Sequence, residues 1–253
     1  MKKKTKMFIS ILSLLIGIVS FGSELSAKAI EDKSRLTDAK IMPTEKIVYL
    51  TFDDGPTGAV TEQILDVLKQ QQVKATFFVV GKEITQREKV LQRIYEEGHG
   101  IGLHTYSHNL KKIYSSPEYF MEEMKQTEEK INKVLGQNLD LKVIRFPGGS
   151  AGRLNEEFLL KLHQNNYKIF DWNVSIEDGV NPDLATSRIV ENAKKHKKDA
   201  HVIIVLAHCN SNNKTTYLAL PDIIKYYKEQ GFTFKSIDNN TPEYYYKIKK
   251  ITK

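Results

Sequence analysis

The architecture of this chain can be worked out from one segment, Val48-Tyr49-Leu50-Thr51-Phe52-Asp53-Asp54-Gly55-Pro56. Its apolar residues Val48, Leu50 and Phe52 alternate with smaller or more polar neighbours, which is the pattern of a buried strand. The Gly-Pro pair at its end is typical of a turn. The stretch therefore predicts a strand that runs directly into a turn.

Two adjacent carboxylates, Asp53 and Asp54, lie at the end of this strand. Like charges this close are unfavourable unless a cation or a proton compensates them. One Asp bound to a metal, with the other free to act as a base, satisfies that condition. The alternative is a solvated turn, because Asp, Gly and Pro are common turn residues. Partners elsewhere in the chain must decide between the two.

The N-terminal residues have the pattern of a secretory signal, with four lysines before an apolar run over 7–22 and Ala27-Lys28-Ala29 as a cleavage site. We expect residues 1–29 to be a signal peptide and the mature protein to be secreted or associated with the cell envelope. An uncleaved membrane anchor is the alternative, because the run is only slightly shorter than a bilayer span of roughly 20 residues. Residues 30–45 are polar and predict a linker.

The whole chain has a net charge of +7, but residues 1–29 carry five lysines and one glutamate, so the charge of residues 30–253 is +3. Much of the basicity therefore belongs to the signal, and we do not expect a nucleic-acid partner. The single cysteine, Cys209, excludes an intrachain disulfide.

Strand and helix patterns alternate along residues 46–239. The predicted strands cover 48–52, 75–80, 101–103, 142–146, 167–174, 202–207 and 232–237, and the predicted helices cover 60–72, 90–97, 117–135, 154–165, 182–197 and 218–230. This alternation predicts an α/β domain with parallel strands and crossover helices, either an open doubly wound sheet or a barrel. The basic, tyrosine-containing tail over 240–253 stays unassigned, as a loose end or a wall-contacting strip.

Polar clusters follow the predicted strands, at the edge where α/β folds build their sites. They are Asp53-Asp54, His104, Arg145-Phe146-Pro147, Asp171-Trp172 and His208. Five such clusters at five strand ends favour one shared site.

His104 and His108 are four residues apart. If the chain turns helical after Leu103, both imidazoles lie on one face and can hold one cation. With Asp54 they form a His-His-Asp set that leaves positions for water and substrate, as a hydrolytic metal site requires. The alternative is a pair of turn histidines bonded to the backbone.

His208 follows the most apolar predicted strand. A carboxylate beside it would raise its pKa and make it a general acid near neutral pH. We expect Asp171, at the neighbouring strand end, to be that carboxylate. The alternative is a core histidine bonded to a backbone carbonyl.

Arg145 is predicted to pair with Asp53, since guanidinium and carboxylate groups bind in matched geometry. The backbone of Pro147-Gly148-Gly149 is uncovered by side chains and could donate an N–H to an oxyanion, or form only a turn. Trp172, the sole tryptophan, either lines a sugar groove or fills the core.

Together, these segments resemble the motifs of the polysaccharide deacetylase family (NodB homology, carbohydrate esterase family 4), and the resemblance spans residues 46–238. The matching segments are Thr51-Phe52-Asp53-Asp54-Gly55-Pro56, His104-Thr105-Tyr106-Ser107-His108, Arg145-Phe146-Pro147-Gly148-Gly149, Asp171-Trp172 and Leu206-Ala207-His208. Two positions depart from the family pattern. Gly148 replaces a common Tyr but keeps the N–H, and Cys209 stands where an Asp or Ser commonly follows the histidine.

The resemblance implies a role for each matched residue. Asp53 would be the base, Asp54, His104 and His108 the metal ligands, Arg145 the partner of the base, His208 the acid and Asp171 the group that orients it. Pro147, Gly148, Trp172 and Leu206 would contact the substrate, with Leu206 as a wall for the acetyl methyl group.

The resemblance also implies a single-domain distorted (β/α)7 barrel, which decides between the two architectures. It implies a monomeric hydrolase that uses one divalent metal, with zinc as first choice and cobalt or nickel as alternatives. The expected substrate is an acetylated glycan polymer, first of all peptidoglycan N-acetylglucosamine, with chitin oligomers, exopolysaccharide or acetylxylan as alternatives. A non-catalytic glycan-binding module and a metal-dependent phosphoesterase are the competing classes.

Overall fold

The computed structural model describes residues 45–248. The predicted signal peptide over 1–29 and all but the last residue of the predicted linker over 30–45 lie outside these residues. Among the helices of residues 45–248, none is long and apolar enough to cross a membrane.

The described residues form eight parallel strands and seven α-helices. The strands are β1 Lys46–Gly55, β2 Thr76–Val79, β3 Gly100–Leu103, β4 Val143–Ile144, β5 Lys168–Ile169, β6 Val174–Ser175, β7 Val202–His208 and β8 Phe232–Phe234. The helices are α1 Ala59–Gln70, α2 Glu88–Glu96, α3 Leu110–Ile113, α4 Pro117–Leu135, α5 Glu156–Gln164, α6 Thr186–Ala193 and α7 Lys214–Glu229.

The strands form one sheet in the order β5-β4-β3-β2-β1-β7-β6, and β8 pairs with the first residues of β1. The sheet curves into a half-barrel, with β5 and β6 at its two edges. A distorted (β/α)7 barrel in a single domain is therefore confirmed, and the open doubly wound sheet is excluded.

The side chains of β1 alternate between two layers, as strand geometry requires. Val48, Leu50 and Phe52 are fully buried in the large core between sheet and helices. Tyr49 belongs instead to the small cluster inside the barrel. Asp53 follows the same alternation, so its carboxylate points inward, where it is buried.

Helix α4 confirms its predicted boundaries. Ser116 caps it by accepting a hydrogen bond from Tyr119 N at 3.1 Å, and Pro117 occupies the first turn. Gly136 ends the helix with φ +62°, in the left-handed region that glycine adopts without strain.

Three of the differences between the predicted and the observed elements bear on the site. The predicted strand over 167–174 is two short strands, β5 and β6, because the chain leaves the sheet between them. The helix predicted over 182–197 spans only Thr186–Ala193. The segment after Leu103 is not helical, since Thr105 and His108 have φ of +67° and +52°.

Candidate active site

The buried guanidinium of Arg145 links two walls of the barrel interior. Its Nη1 donates to Asp53 Oδ1 at 2.8 Å and to Thr51 Oγ1 at 2.7 Å, and its Nε donates to Phe170 O at 2.7 Å. The structure thus brings together Arg145 and Asp53, as predicted. The guanidinium therefore holds the Asp53 carboxylate in one orientation.

Asp54, His104 and His108 converge although no helix presents the two imidazoles. Asp54 Oδ1 lies 3.5 Å from His104 Nε2 and 3.2 Å from His108 Nε2. Instead of a helix, the left-handed turn at Thr105 and His108 brings the second ring back beside the first, and Thr105 Oγ1 accepts from His108 N at 3.2 Å.

The donor atoms of this cluster fit a single cation. One ligand atom from each residue lies within 4.8 Å of the others. Asp54 Oδ1 is buried and has no hydrogen-bond partner among the described residues, while Asp54 Oδ2 accepts from Asn210 Nδ2 at 3.0 Å. His104 Nδ1 donates to Arg145 O at 2.9 Å, which leaves the lone pair on Nε2 directed at Asp54. The three side chains are therefore a candidate metal site.

The pKa of Asp54 reflects the same arrangement. Burial raises the pKa of Asp54, but the nearby imidazoles of His104 and His108 outweigh burial and hold it well below its usual range. The position therefore favours a positive charge next to the Asp54 carboxylate.

A carboxylate that the sequence analysis missed, Glu123 of α4, holds the turn that carries His108. Glu123 is 4% exposed, and its carboxylate accepts from Tyr106 N at 2.9 Å and from Ser107 N and Ser107 Oγ at 2.6 and 2.9 Å. These three bonds stabilise a turn that contains two non-glycine residues in the left-handed region.

The partner of His208 is Asp178, not Asp171, so this prediction is wrong. His208 Nδ1 lies 2.8 Å from Asp178 Oδ1, and Asp178 Oδ2 accepts from His208 N at 2.9 Å and from Thr216 Oγ1 at 2.7 Å. The reason is the sheet register: β6 pairs with β7 with Ser175 opposite Leu206, which carries the following residues toward His208. Asp171 precedes β6 and lies elsewhere.

Asp178 sets the charge state of His208. Burial lowers the pKa of the imidazole, but the hydrogen bond and charge of Asp178, together with the charges of Asp53 and Asp54, outweigh burial and raise the pKa to about 9. His208 is thus an imidazolium at neutral pH, with Nδ1–H held and Nε2–H available. Asp178 lies three residues after the short strand Val174–Ser175, and no local feature of the sequence distinguishes it from Asp171.

The cavity at the carboxyl ends of the strands has a volume of about 280 Å³. Its walls combine the acidic and histidine side chains with residues of the loops around them: Asp53, Asp54, His104, His108, Gly148, Trp172, Ser175, Glu177, Gly179, Val180, Leu206 and His208. The side chain of Val180 is about nine-tenths exposed and lies at the mouth of this cavity.

The predicted substrate residues divide into two groups. Gly148, Trp172 and Leu206 line the cavity, whereas Pro147 is buried outside the lining and its carbonyl accepts from Tyr114 Oη at 2.8 Å. Gly148 is exposed, and no described residue accepts its N–H. Trp172 was predicted either to line a groove or to fill the core, and it does both. Its side chain lines the cavity and also packs on the cluster inside the barrel.

Cys209 plays no part in the cavity. It is fully buried, its Sγ donates to Asp53 O at 3.2 Å, and burial raises the pKa of its thiol far above the usual range. The thiol is therefore a packed, neutral group.

A parallel α/β barrel with a His-His-Asp cluster, a buried Arg–Asp pair and an Asp-supported histidine defines a hydrolase site at the strand ends. Residues 40–170 match the family model described as polysaccharide deacetylase. The chain belongs to this family, carbohydrate esterase family 4, whose members are hydrolases.

Relatives agree with this assignment. A peptidoglycan-N-acetylglucosamine deacetylase of Bacillus cereus is 33% identical over 195 residues, covering 76% of this chain and 69% of that protein. A peptidoglycan-N-acetylmuramic acid deacetylase of Bacillus subtilis is 32% identical over 197 residues, covering 77% and 71%. The structure of a Streptococcus mutans CE4 esterase superposes with a TM-score of 0.71 at 34% identity, covering 79% of this chain and 89% of that one.

Proposed function

We propose that this protein is a metal-dependent N-deacetylase that hydrolyses the acetamide of N-acetylglucosamine units in peptidoglycan and releases acetate. The observation that carries the proposal is one cavity in which the Asp54-His104-His108 cluster faces both a carboxylate and an imidazolium. Peptidoglycan is preferred because several relatives are named for it.

Asp54, His104 and His108 would hold the cation, and zinc suits a set of two imidazoles and one carboxylate with a position left for water. The chemistry that such a cation supplies is acidification of a water molecule and polarisation of a carbonyl oxygen. Asp54 Oδ1, buried and without a hydrogen-bond partner among the described residues, supports this ligand set.

Asp53 and His208 divide the proton transfers. Asp53, oriented by Arg145, accepts the proton of the attacking water. His208, held as an imidazolium by Asp178, donates a proton from Nε2 to the departing amine. An amine is a poor leaving group unless protonated, so the acid matters more for an amide than for an ester.

The remaining cavity residues bind the acyl group. The exposed N–H of Gly148 donates to the developing oxyanion, and Leu206 packs against the acetyl methyl group. Trp172 contributes an aromatic face to the sugar side of the cavity. The non-catalytic alternative would be expected to lack the base, a ligand or the acid, and the described site contains all of them.

Acetate release from a panel of polymers tests the proposal. The protein is stripped with a chelator, reloaded with Zn, Co or Ni, and incubated with peptidoglycan, chitin oligomers and acetylxylan. We expect metal-restored release from peptidoglycan, with mass spectrometry of muropeptides showing whether the glucosamine or the muramic acid unit lost its acetyl group. Absence of release with every metal and polymer would contradict the proposal.

Extracytoplasmic action follows from a peptidoglycan substrate, and the predicted signal over 1–29 would deliver the protein there. The mass of the protein recovered from the culture medium or the membrane fraction distinguishes a cleaved signal from a retained anchor. The monomeric state also stays a prediction, which light scattering of the purified protein checks.

A further inference from the structure

The C-terminal residues 243–248 are an ordered part of the barrel rather than a loose basic end. Tyr244 forms a parallel bridge with Phe170, directly after β5. Tyr244 N donates to Ile169 O at 3.0 Å, and Asp171 N donates to Tyr244 O at 2.7 Å. Among the strands of residues 45–248, β5 pairs only with β4, so this segment covers the other edge of β5.

Asp171, which does not contact His208, joins this segment to the loop that follows Arg145. Asp171 is fully buried. Among the described residues, its carboxylate accepts hydrogen bonds from Ser150 and Tyr246. The carboxylate accepts from Ser150 N at 2.9 Å, from Ser150 Oγ and from Tyr246 N at 2.8 Å. A buried carboxylate with three donors is satisfied, and it fixes the relative position of the two backbones.

Tyr246 makes the second connection. Its hydroxyl donates to Trp172 O at 3.0 Å, and its ring lies edge-on to the indole of Trp172 with centroids 5.7 Å apart. Gly149 fits against both rings: a Cβ there would lie 3.0 Å from the Trp172 ring and 3.4 Å from the Tyr246 ring. Gly149 and Ser150, which follow the exposed Gly148, are thus packed against Trp172, Tyr246 and Asp171.

We infer that residues 244–246 are a positioning element of the active site. Through Asp171 and Trp172 they hold the loop Gly148–Ser150 where the Gly148 N–H meets the oxyanion. The inference rests on the proposed deacetylation, because it assigns the segment to the oxyanion donor of that reaction. An oxyanion donor must be placed before the charge develops, and loss of one such donor lowers kcat by about 100- to 1000-fold in other hydrolases.

The test compares chains ending after Pro242 and after Ile248 with the full-length protein. The first lacks Tyr244 and Tyr246, whereas the second is the matched control that lacks only 249–253. We expect kcat on an N-acetylglucosamine oligomer to fall at least 10-fold in the first, with KM within about threefold and with unchanged zinc affinity by calorimetry. The control should match the full-length chain.

Two readouts do not depend on catalysis. Trp172 is the only tryptophan, so its fluorescence should become more accessible to acrylamide in the chain ending after Pro242, and amide exchange at Gly148–Ser150 should become faster. Tyr246→Phe, which keeps the fold and the N–H but removes the bond to Trp172 O, should show smaller changes in the same directions.

Two outcomes would overturn the inference. One is kcat within twofold of the control while exchange at Gly148–Ser150 is unchanged. The other is an unchanged kcat in the chain ending after Pro242 together with a KM above that of the control, by a factor that grows with oligomer length. That result would make the aromatic residues a sugar-binding subsite. Failure of the full-length protein to release acetate from every polymer, peptidoglycan included, would refute the proposed function instead, and the fluorescence and exchange data would still decide whether the segment holds the loop.

Discussion

Replacement of Asp178 by Asn tests the origin of the acid at this site. Asn is nearly isosteric, but it removes the charge that supports the His208 imidazolium at 2.8 Å. The difference between the ordinary pKa of 6.5 and a pKa of about 9 corresponds to about 3 kcal/mol of preference for the charged imidazole. Burial of the ring lowers the pKa of His208, and the carboxylate of Asp178 counteracts this effect. The pKa of His208 therefore falls when the carboxylate is removed.

The expected effect on the pH profile has a definite sign. In the proposed reaction His208 donates a proton, so amide hydrolysis should decline as the pH rises through its pKa, and a cation on Asp54 would place this limb somewhat below pH 9. In Asp178→Asn the alkaline limb should move to lower pH by one unit or more.

The native imidazolium also stabilises the fold below the unfolded pKa of about 6.5, and this contribution is lost as pH rises through about 9.

The assay measures kcat on an acetamide substrate and on an activated aryl acetate. We expect a loss of about 100-fold on the amide, the lower end of general acid catalysis, and a much smaller loss on the ester, whose leaving group departs unprotonated. Asp183→Asn, an exposed carboxylate in the same loop, is the matched control. Equal losses on both substrates, or a shift of the limb in Asp171→Asn instead, would refute the reasoning.

Three further predictions follow from packing around the site. Gly179→Ala should abolish amide hydrolysis while leaving the fold intact, because a Cβ there would overlap the imidazole of His208; kcat and circular dichroism check it. Glu123→Ala should weaken zinc binding and lower the free energy of unfolding by about 3 kcal/mol, since three bonds to the turn before His108 are lost; calorimetry and urea denaturation measure both. Cys209→Ser should keep near-native kcat, and the native thiol should resist modification by a disulfide reagent until the protein unfolds.

Controls for the first two changes are present in the chain. A Cβ at Gly58 would meet nothing within 4 Å, so Gly58→Ala should leave kcat unchanged. Glu129, on the same helix as Glu123 but with a 64% exposed side chain, should be replaceable by Ala within about 0.5 kcal/mol. An inactive Gly58→Ala, or equal destabilisation by the two glutamate substitutions, would contradict the packing argument.

Local features of the sequence predicted the elements that short-range physics controls. The alternation around Asp53, the Ser116 cap and the strand-end position of Arg145 are each encoded within a few residues, and the structure places all three as predicted. His104 and His108 come together as predicted, although by a left-handed turn, because a spacing of four residues does not specify the backbone that joins them.

Only the tertiary structure decided which carboxylate supports His208. Asp171 and Asp178 both follow β-rich segments, and nothing within either segment distinguishes them. The choice depends on the register of β6 against β7 and on the break between β5 and β6, where Tyr244 takes the place of a strand partner. Local sequence patterns were therefore enough to predict that Asp53 and Asp54 end the first strand and that His104 and His108 lie together. Pairings between distant segments depend on how strands align and which edge remains open, and those are properties of the whole fold.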